Sequence, residues 1–524
     1  MAVVNAVRVT KTVGDPNAEY MSLQALWAKS RAVCSGERYA KDYDNVLSRA
    51  YGNLLIPFSP SMTQAQYDFY KAEAELPGIV SLFCKMLVGG LLRKQPVLEL
   101  PDNVPEAAMS WLVNEFGQDD STLASFLDQG VYEELQTSRA WVCVDHPQVL
   151  NPEDLTPEQK LQLKPYPVLW KAESVINWHV SNNDFGKATL DRVIVRSYEE
   201  AFEDGNEFHP VLRDTVHVHE LVKGVYQIRK FQRRDPVSAV PVVNGQQQAD
   251  KGKTSPKFDE VDKAIIPLAN GEPLSFIPAW PLNGMINPVE PQLIALIDKE
   301  VALYNKMSRR NHLLYGAATY TPIICSDMLD TDFDKVVSAG LGSWIKLGQE
   351  DSATILKTPT EALADYNSAI AAAIEELARM GIRMLSPESA QSGVALDIRN
   401  ASQNAQLGTL NTKISNTMRQ VICFMLNWRY DLELKISDIK FELSSDFNPT
   451  PLGADWLRLA TEWYQSGLIP RTVWLEILKH NDMISPDYDD EEGKQEINAD
   501  ADLVMAGQAS EYADKVSQNG AAEK

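Results

Sequence analysis

The sequence has few of the features by which enzymes and nucleic-acid-binding proteins are usually recognised. Basic residues are in the minority, with 49 Lys and Arg against 72 Asp and Glu and a formal net charge of −23. A protein that wraps nucleic acid needs a basic surface to neutralise phosphates, so this balance argues against that mode of binding. It fits a soluble particle, or a surface that repels DNA.

Cysteine is also scarce, and the five cysteines are scattered. They are Cys34, Cys84, Cys143, Cys325 and Cys423. No two of them are closer than 50 residues, so the spacing predicts neither a disulfide framework nor a zinc site. We expect the compartment to be reducing.

Long hydrophobic runs are absent. Residues 1–13 lack the apolar run of a signal peptide, so export by that route is not expected. The most apolar run, residues 79–92, has 14 residues, with Lys85 inside it and Gly89-Gly90 near its end. A membrane-spanning helix needs about 20. We therefore predict a core helix and no contact with a membrane.

A nucleotide-binding loop is not supported either. Gly252-Lys253-Thr254 resembles the end of such a loop, but Gln247 stands where the pattern needs glycine, and Ser255-Pro256 follows where an apolar helix should begin. These residues belong to a polar stretch, 236–261, which we predict to be a surface loop.

Two possible metal sites are weak as well. His217 and His219 alternate onto one face of a predicted strand and could share a metal with Glu220. No complementary cluster is visible, so we favour surface strand residues. The acidic run 330–334 begins like a calcium loop, but Lys335 replaces the turn glycine that such a loop needs. An acidic turn is the better interpretation.

The N-terminal half is predicted to be helical and then β-rich. Apolar residues have helical spacing in 21–51, 63–92 and 105–136. From Ala140 onward a run without helical period predicts a strand, and 215–222 and 225–231 predict a hairpin around Lys223-Gly224.

The first of three long predicted helices, 288–316, has a packing face and a basic face. Its apolar stripe consists of Leu293, Ile294, Ile297, Val301 and Tyr304. Lys299, Lys306 and Arg310 fall on the opposite face, within about 40° of one another. A helix of this length would span roughly 43 Å, too long to be buried against a small domain.

The second and third helices follow after an insert. The second, 359–385, opens with Thr358-Pro359-Thr360-Glu361, which supplies an N-cap, a proline at the first helical position and a glutamate for a capping box. Its alanine-rich run, 369–373, keeps it slender, so it can lie beside the first. The third, 398–434, is amphipathic, with Asn411 outside its apolar face, and is roughly ten turns long.

The order of these segments resembles the portal proteins of tailed bacteriophages, in which a stem helix, a clip insert, a second stem helix, a tunnel loop and a long wing helix follow one another. The matching pieces are PVEPQLIALIDKEVALYNKMSRRNHLLYG, the insert around AGLGSWIKLGQ, TPTEALADYNSAIAAAIEELARMGIRML, SPESAQSGVALD and IRNASQNAQLGTLNTKISNTMRQVICFMLNWRYDL. The resemblance is architectural, covers most of the chain and lacks a short diagnostic signature.

The resemblance implies an α+β portal fold with seven parts. These are an N-terminal wing (1–287, helical then β-rich), a first stem helix (288–316), a clip (317–358), a second stem helix (359–385), a tunnel loop (386–397), a long wing helix with a following strand (398–452), and a helical crown with an acidic tail (453–524).

It also implies a function. Portals are rings, usually of twelve subunits, at one capsid vertex of the virion, assembled in the host cytoplasm. Double-stranded DNA passes through the channel in packaging and ejection, driven by a separate terminase. Expected partners are further copies of the chain, the terminase large subunit, the major capsid and scaffolding proteins, and a head-completion or tail adaptor. No catalytic residue, metal or cofactor is expected.

Two features are expected to meet DNA. Lys299, Lys306 and Arg310 could form positive belts in the channel, or they could pair with carboxylates of a neighbouring stem. The tunnel loop is expected to line the narrowest part, since small polar residues suit a loop that changes shape. Its residues are Ser386, Pro387, Glu388, Ser389, Ala390, Gln391, Ser392, Gly393, Val394 and Ala395.

Two other functions stay open. A metal-dependent nucleic-acid-processing enzyme could draw its carboxylates from distant positions, and a chelator would abolish its activity. A helical adaptor protein would have the mass of a single chain in solution.

Overall fold

The computed structural model describes residues 12–46, 55–57, 62–147, 163–182, 188–202, 210–234, 257–318, 321–325, 352–356, 362–380, 393–444, 454–466 and 470–480, together with isolated positions between these ranges. The chain divides into two compact units, Met1–Ser445 and Asp446–Lys524. Helices and strands both contribute, and the predicted α+β class is confirmed.

The N-terminal part of the first unit is helical. Its helices are α1 (Ala18–Cys34), α2 (Glu37–Val46), α3 (Gln64–Glu73), α4 (Ile79–Leu91), α5 (Ala107–Asn114) and α6 (Leu123–Thr137). Asn17, Thr63 and Thr122 cap α1, α3 and α6 by accepting a backbone N–H at each helix start. The single helix predicted over 105–136 is wrong, because the chain turns at Asp120, which has a φ of 55°.

The β-rich part contains two main antiparallel sheets. Strands β2 (Trp141–Asp145), β3 (Tyr166–Trp170) and β11 (Ala279–Pro281) form one in the order β11-β2-β3. Strands β4 (Val175–Asn182), β5 (Ala188–Ala201), β6 (Val211–Val222), β7 (Val225–Arg233) and β8 (Phe258–Glu260) form the other in chain order. The predicted hairpin is confirmed, since Lys223 and Gly224 adopt φ values of 52° and 81° in the β6–β7 turn.

Short strands complete the sheets. A small pair consists of β9 (Leu268–Ala269) and β10 (Glu272–Pro273). Strand β1 (Val97–Glu99) pairs antiparallel with β14 (Lys440–Glu442), which joins the N-terminal helices to the C-terminal end of the first unit.

The remaining elements follow the predicted order. They are α7 (Ile294–Ala318), β12 (Thr321–Cys325), β13 (Ser352–Leu356), α8 (Ala362–Arg379) and α9 (Gly393–Tyr430), and then, in the second unit, α10 (Ala454–Gln465) and α11 (Arg471–His480). Strands β12 and β13 pair antiparallel. Helix α9 has 38 residues and ends where Asp431 takes a φ of 53°. In the second unit, Tyr464 of α10 stacks on Trp474 of α11 with ring centroids 4.8 Å apart.

The apolar run 79–92 forms α4, as predicted, and its burial is one-sided. Val80, Cys84 and Leu91 are fully buried, whereas Leu82 and Met86 are 51% and 38% exposed. Among the residues the structure describes, no helix has the length and apolar character needed to cross a bilayer.

Two buried ionisable residues, Glu134 and Arg139, lie where α6 meets β2. The Glu134 carboxylate accepts a hydrogen bond from the Ala140 backbone N–H at 2.9 Å, and Arg139 stacks over the Trp178 ring at 4.1 Å. Burial raises the pKa of Glu134 to about 7 and lowers the pKa of Arg139 to about 10.

We predict that Glu134→Gln alters the pH dependence of stability. The pKa of Glu134 lies above its value of 4.5 in the unfolded chain, so its stabilising contribution is complete below pH 4.5 and is lost as the pH rises through about 7. Glutamine does not titrate. The stability of the variant relative to the native protein should rise between pH 5 and pH 8, by at most about 3 kcal/mol, in urea unfolding. If the difference in stability between the variant and the native protein does not change with pH, the pKa of Glu134 is not raised in the folded protein.

Candidate functional site: the paired helices α7 and α8

Helices α7 and α8 lie side by side in opposite directions. Lys299 Nζ donates to Glu376 Oε1 at 2.6 Å, and further along α7, Arg310 Nε donates to Asn367 Oδ1 at 2.7 Å. As the residue number increases on one helix it decreases on the other, which is the register of an antiparallel pair. With β12 and β13 paired between them, the two helices and the insert form a helical hairpin with a β-structured end.

The opposite face of α7 is covered by the N-terminal helices. Ile297, Leu303 and Tyr304 are fully buried, and Leu293 and Leu296 are nearly so. Tyr70 of α3 contacts His312 edge-to-face, with ring centroids 5.2 Å apart. The predicted packing stripe is confirmed in position, and it is wider than expected because Leu296 and Leu303 extend it toward the basic residues.

The basic residues lie at the seam between the two helices. Lys299 and Arg310 both contact α8 of the same chain, whereas the sequence suggested either the channel or a neighbouring stem. Lys306 lies between them on α7 and is half-buried. The side chains of Lys299 and Glu376 are 45% and 52% exposed, so this ion pair contributes at most about 1 kcal/mol.

The buried polar contact of α7, which Glu300 makes, was not predicted from the sequence. Glu300 is fully buried, and its two carboxylate oxygens accept the backbone N–H groups of Ile79 at 2.8 Å and Val80 at 2.7 Å. Gly78, the N-cap of α4, offers no side-chain acceptor. A carboxylate at a helix N-terminus satisfies these donors and complements the helix dipole. Burial raises the pKa of Glu300, and the backbone hydrogen bonds oppose that rise.

Other polar contacts fix α7 in the same place. Asp298 pairs with Lys29 of α1. Asn305 Nδ2 donates to the Leu55 carbonyl at 2.7 Å. Helix α7 is therefore joined to the N-terminal part of the chain through side chains whose partners lie more than 200 residues away in sequence.

The long helix α9 carries a buried polar group as well. Asn411, which the sequence placed outside the apolar face, is buried and donates to the carbonyls of Leu443 at 3.0 Å and Ser444 at 2.8 Å. Ser415 Oγ donates to Asn411 Oδ1 and accepts from the Leu443 N–H. These contacts hold the strand that follows α9 against the helix.

The predicted tunnel loop is only partly described. Gly393, Val394 and Ala395 belong to α9, so the helix begins earlier than predicted. The reason is that no proline or second glycine follows Gly393 until Gly408, and nothing in that stretch stops a helix. Ser386, Pro387, Glu388, Ser389, Ala390, Gln391 and Ser392 lie outside the described residues.

The candidate histidine site is explained by local hydrogen bonds. His217 Nε2 lies 3.0 Å from Glu199 Oε1, and His219 Nδ1 lies 2.7 Å from the Tyr226 hydroxyl. His219 is buried, so its interpretation as a surface residue is wrong, and burial lowers its pKa to about 3. Glu220 pairs with Arg192 and Arg229 instead.

The other candidate motifs cannot be placed. Gly252, Lys253 and Thr254, and the acidic run 330–334, lie outside the described residues. Within the described ranges, no group of three or more His, Cys, Asp or Glu side chains is arranged to hold a metal ion.

Comparisons with known proteins give one family match and distant structural matches. A family described as a domain of unknown function (DUF4055) matches residues 292–429, which run from the start of α7 almost to the end of α9. No curated protein matches. A chain from a structure titled "Virion of native gene transfer agent (GTA) particle" is 11% identical, with 74% of this chain and 85% of that chain covered and a TM-score of 0.33. A chain from "Neck of empty GTA particle computed with C6 symmetry" is 11% identical, with coverages of 81% and 94% and a TM-score of 0.33.

We predict that Glu300→Gln destabilises the protein by about 1–3 kcal/mol, because the amide retains one acceptor oxygen and turns an N–H₂ group toward a backbone donor. Urea unfolding of the two proteins measures the difference. Asp298→Asn, two residues away on the exposed side, is the matched control and should cost less than about 1 kcal/mol. Equal losses in both variants would show that Glu300 is not the principal cap of α4.

Proposed function

We propose that the protein is a portal protein: a ring of identical subunits, about twelve by the resemblance of the sequence, at one vertex of a phage-like capsid. The observation that carries the proposal is the connectivity of α7, β12, β13, α8 and α9. An antiparallel helix pair closed by a β-structured insert and followed by a 38-residue helix supports the stem, clip, stem and wing order.

The same region supports assembly by self-association. Helix α8 has one flank against α7, and among its described side chains Ala371, Ala372 and Ile374 are exposed. An apolar helix surface left in water by a single subunit favours burial against another copy. Cyclic packing supplies such a contact for every subunit.

The proposal assigns a passive role toward DNA. Every copy adds a net charge of −23, so a ring repels phosphates except where cations are concentrated. Lys299, Lys306 and Arg310 are the proposed exception, and the loop 386–392 is proposed to touch DNA in the same channel. The terminase, the capsid and scaffolding proteins and a tail adaptor are the proposed partners, and no turnover is expected.

Ring formation is the direct test. Native mass spectrometry of the purified protein should give a multiple of 58.5 kDa, and negative-stain images should show a ring with a central hole. A sharp monomer at micromolar concentration would contradict the portal and support the helical adaptor. Nuclease activity that a chelator abolishes would support the metal-dependent enzyme instead.

The three basic residues on α7 allow a second test. Replacing Lys299, Lys306 and Arg310 together by glutamine should leave rings intact, because exposed ion pairs contribute little to stability. At low salt the variant should retain less DNA than the native protein. At high salt, where charges are screened over shorter distances, the difference between the two proteins should be smaller. Lys171→Gln in the wing is the control. Rings that fail to form would show that these three residues hold the subunits together instead.

A further inference from the structure

The five-stranded sheet extends into a two-stranded arm. Strand β5 pairs with β4 only as far as Val195, and β6 pairs with β7 only from Thr215 onward. Beyond these points the described parts of β5 and β6 pair with each other, out to Ala201 and Val211. The arm therefore projects past the rest of the sheet.

One face of the arm is apolar and acidic. Tyr198, Phe202 and Leu212 are 58%, 62% and 51% exposed. They share a face because side chains alternate along a strand and Glu200 pairs with Leu212. The exposed Glu200 lies among them. Exposed apolar side chains grouped on one surface are typical of interaction sites.

A second exposed surface, on α4, has the opposite charge. Leu82 and Met86 are 51% and 38% exposed, and Lys85 between them is also exposed. Gly89 continues the stripe at helical spacing. A Cβ added to Gly89 would meet nothing within 4 Å, so no contact within this chain requires glycine there. Glycine inside a helix permits the close approach of another backbone.

We propose that the arm of one subunit docks on the α4 face of a second copy of the chain. The inference rests on the proposed ring and names the surfaces that join its wings. Apolar side chains would meet apolar side chains, and Glu200 of the arm would meet Lys85. Since the two surfaces are different patches of one chain, the contact is heterologous, and such a contact can repeat from subunit to subunit around a closed ring.

Site-specific crosslinking tests the contact directly. Phe202→Cys and Met86→Cys are combined in a Cys325→Ser background, which removes the exposed cysteine from among five of which the other four are buried. A short bismaleimide added to intact rings should give a ladder of covalent oligomers. The control pairs Phe202→Cys with Met21→Cys, an exposed position on α1, and should give none. Rings with no ladder from the first pair would overturn the inference.

Charge reversal provides a second measurement. Lys85→Glu should raise the protein concentration needed for assembly roughly tenfold at low salt, and adding Glu200→Lys should restore it. Leu212→Ser should also weaken assembly, whereas Val222→Ser, an exposed apolar residue at the other end of β6, should not. Circular dichroism checks that each variant is folded.

The outcomes separate the two proposals. If the Lys85→Glu and Leu212→Ser variants both assemble into rings as readily as the native protein, the docking surface is overturned and the portal proposal still stands. A native protein that remains monomeric would overturn both. Crosslinks from Phe202→Cys to a different virion protein in whole particles would assign the arm to that partner and reject the second copy.

Discussion

The buried carboxylate of Glu300 is the contact on which the arrangement of this chain depends. It joins a residue in the second turn of α7 to the first turn of α4, two positions separated by 221 residues in sequence. A buried carboxylate is costly unless it is hydrogen-bonded, and an uncapped helix end is costly unless its N–H groups are accepted. The backbone N–H groups at the start of α4 offset the cost of burying the Glu300 carboxylate, and the carboxylate accepts hydrogen bonds that these N–H groups would otherwise lack. The hydrogen bonds therefore fix α7 against the N-terminal end of α4.

Some of the acidic side chains are neutralised by arginines of the same chain. Arg31 is held by Glu133 and Glu173, and its pKa is raised by these partners despite its burial. Arg229 lies between Glu220 and Glu260 on the five-stranded sheet. Each of these two arginines is thus paired with two carboxylates of the same chain.

Features that depend on local sequence could be predicted, and features that depend on distant partners could not. The helical spacing of α7 and the Lys223-Gly224 turn are local, and both elements occur, although α7 begins at Ile294 and not at the predicted residue 288. The predicted start signal of α8, residues 358–361, lies outside the described residues. The burial of Asn411 and Glu300 depends on carbonyl and N–H groups far along the chain. A weak signal for Glu300 did exist, because Pro77-Gly78 begins a helix without a residue that can cap it.

The antiparallel pair of α7 and α8 couples the β12–β13 insert to the N-terminal helices. Contacts with those helices are spread along α7, from the Glu300 carboxylate to the ring contacts of His312 with Tyr70 and of Tyr315 with Phe69. A helix held near both ends cannot tilt about one of these contacts without breaking the other. A force applied to β12 and β13 would therefore be transmitted along α7 into the N-terminal helices.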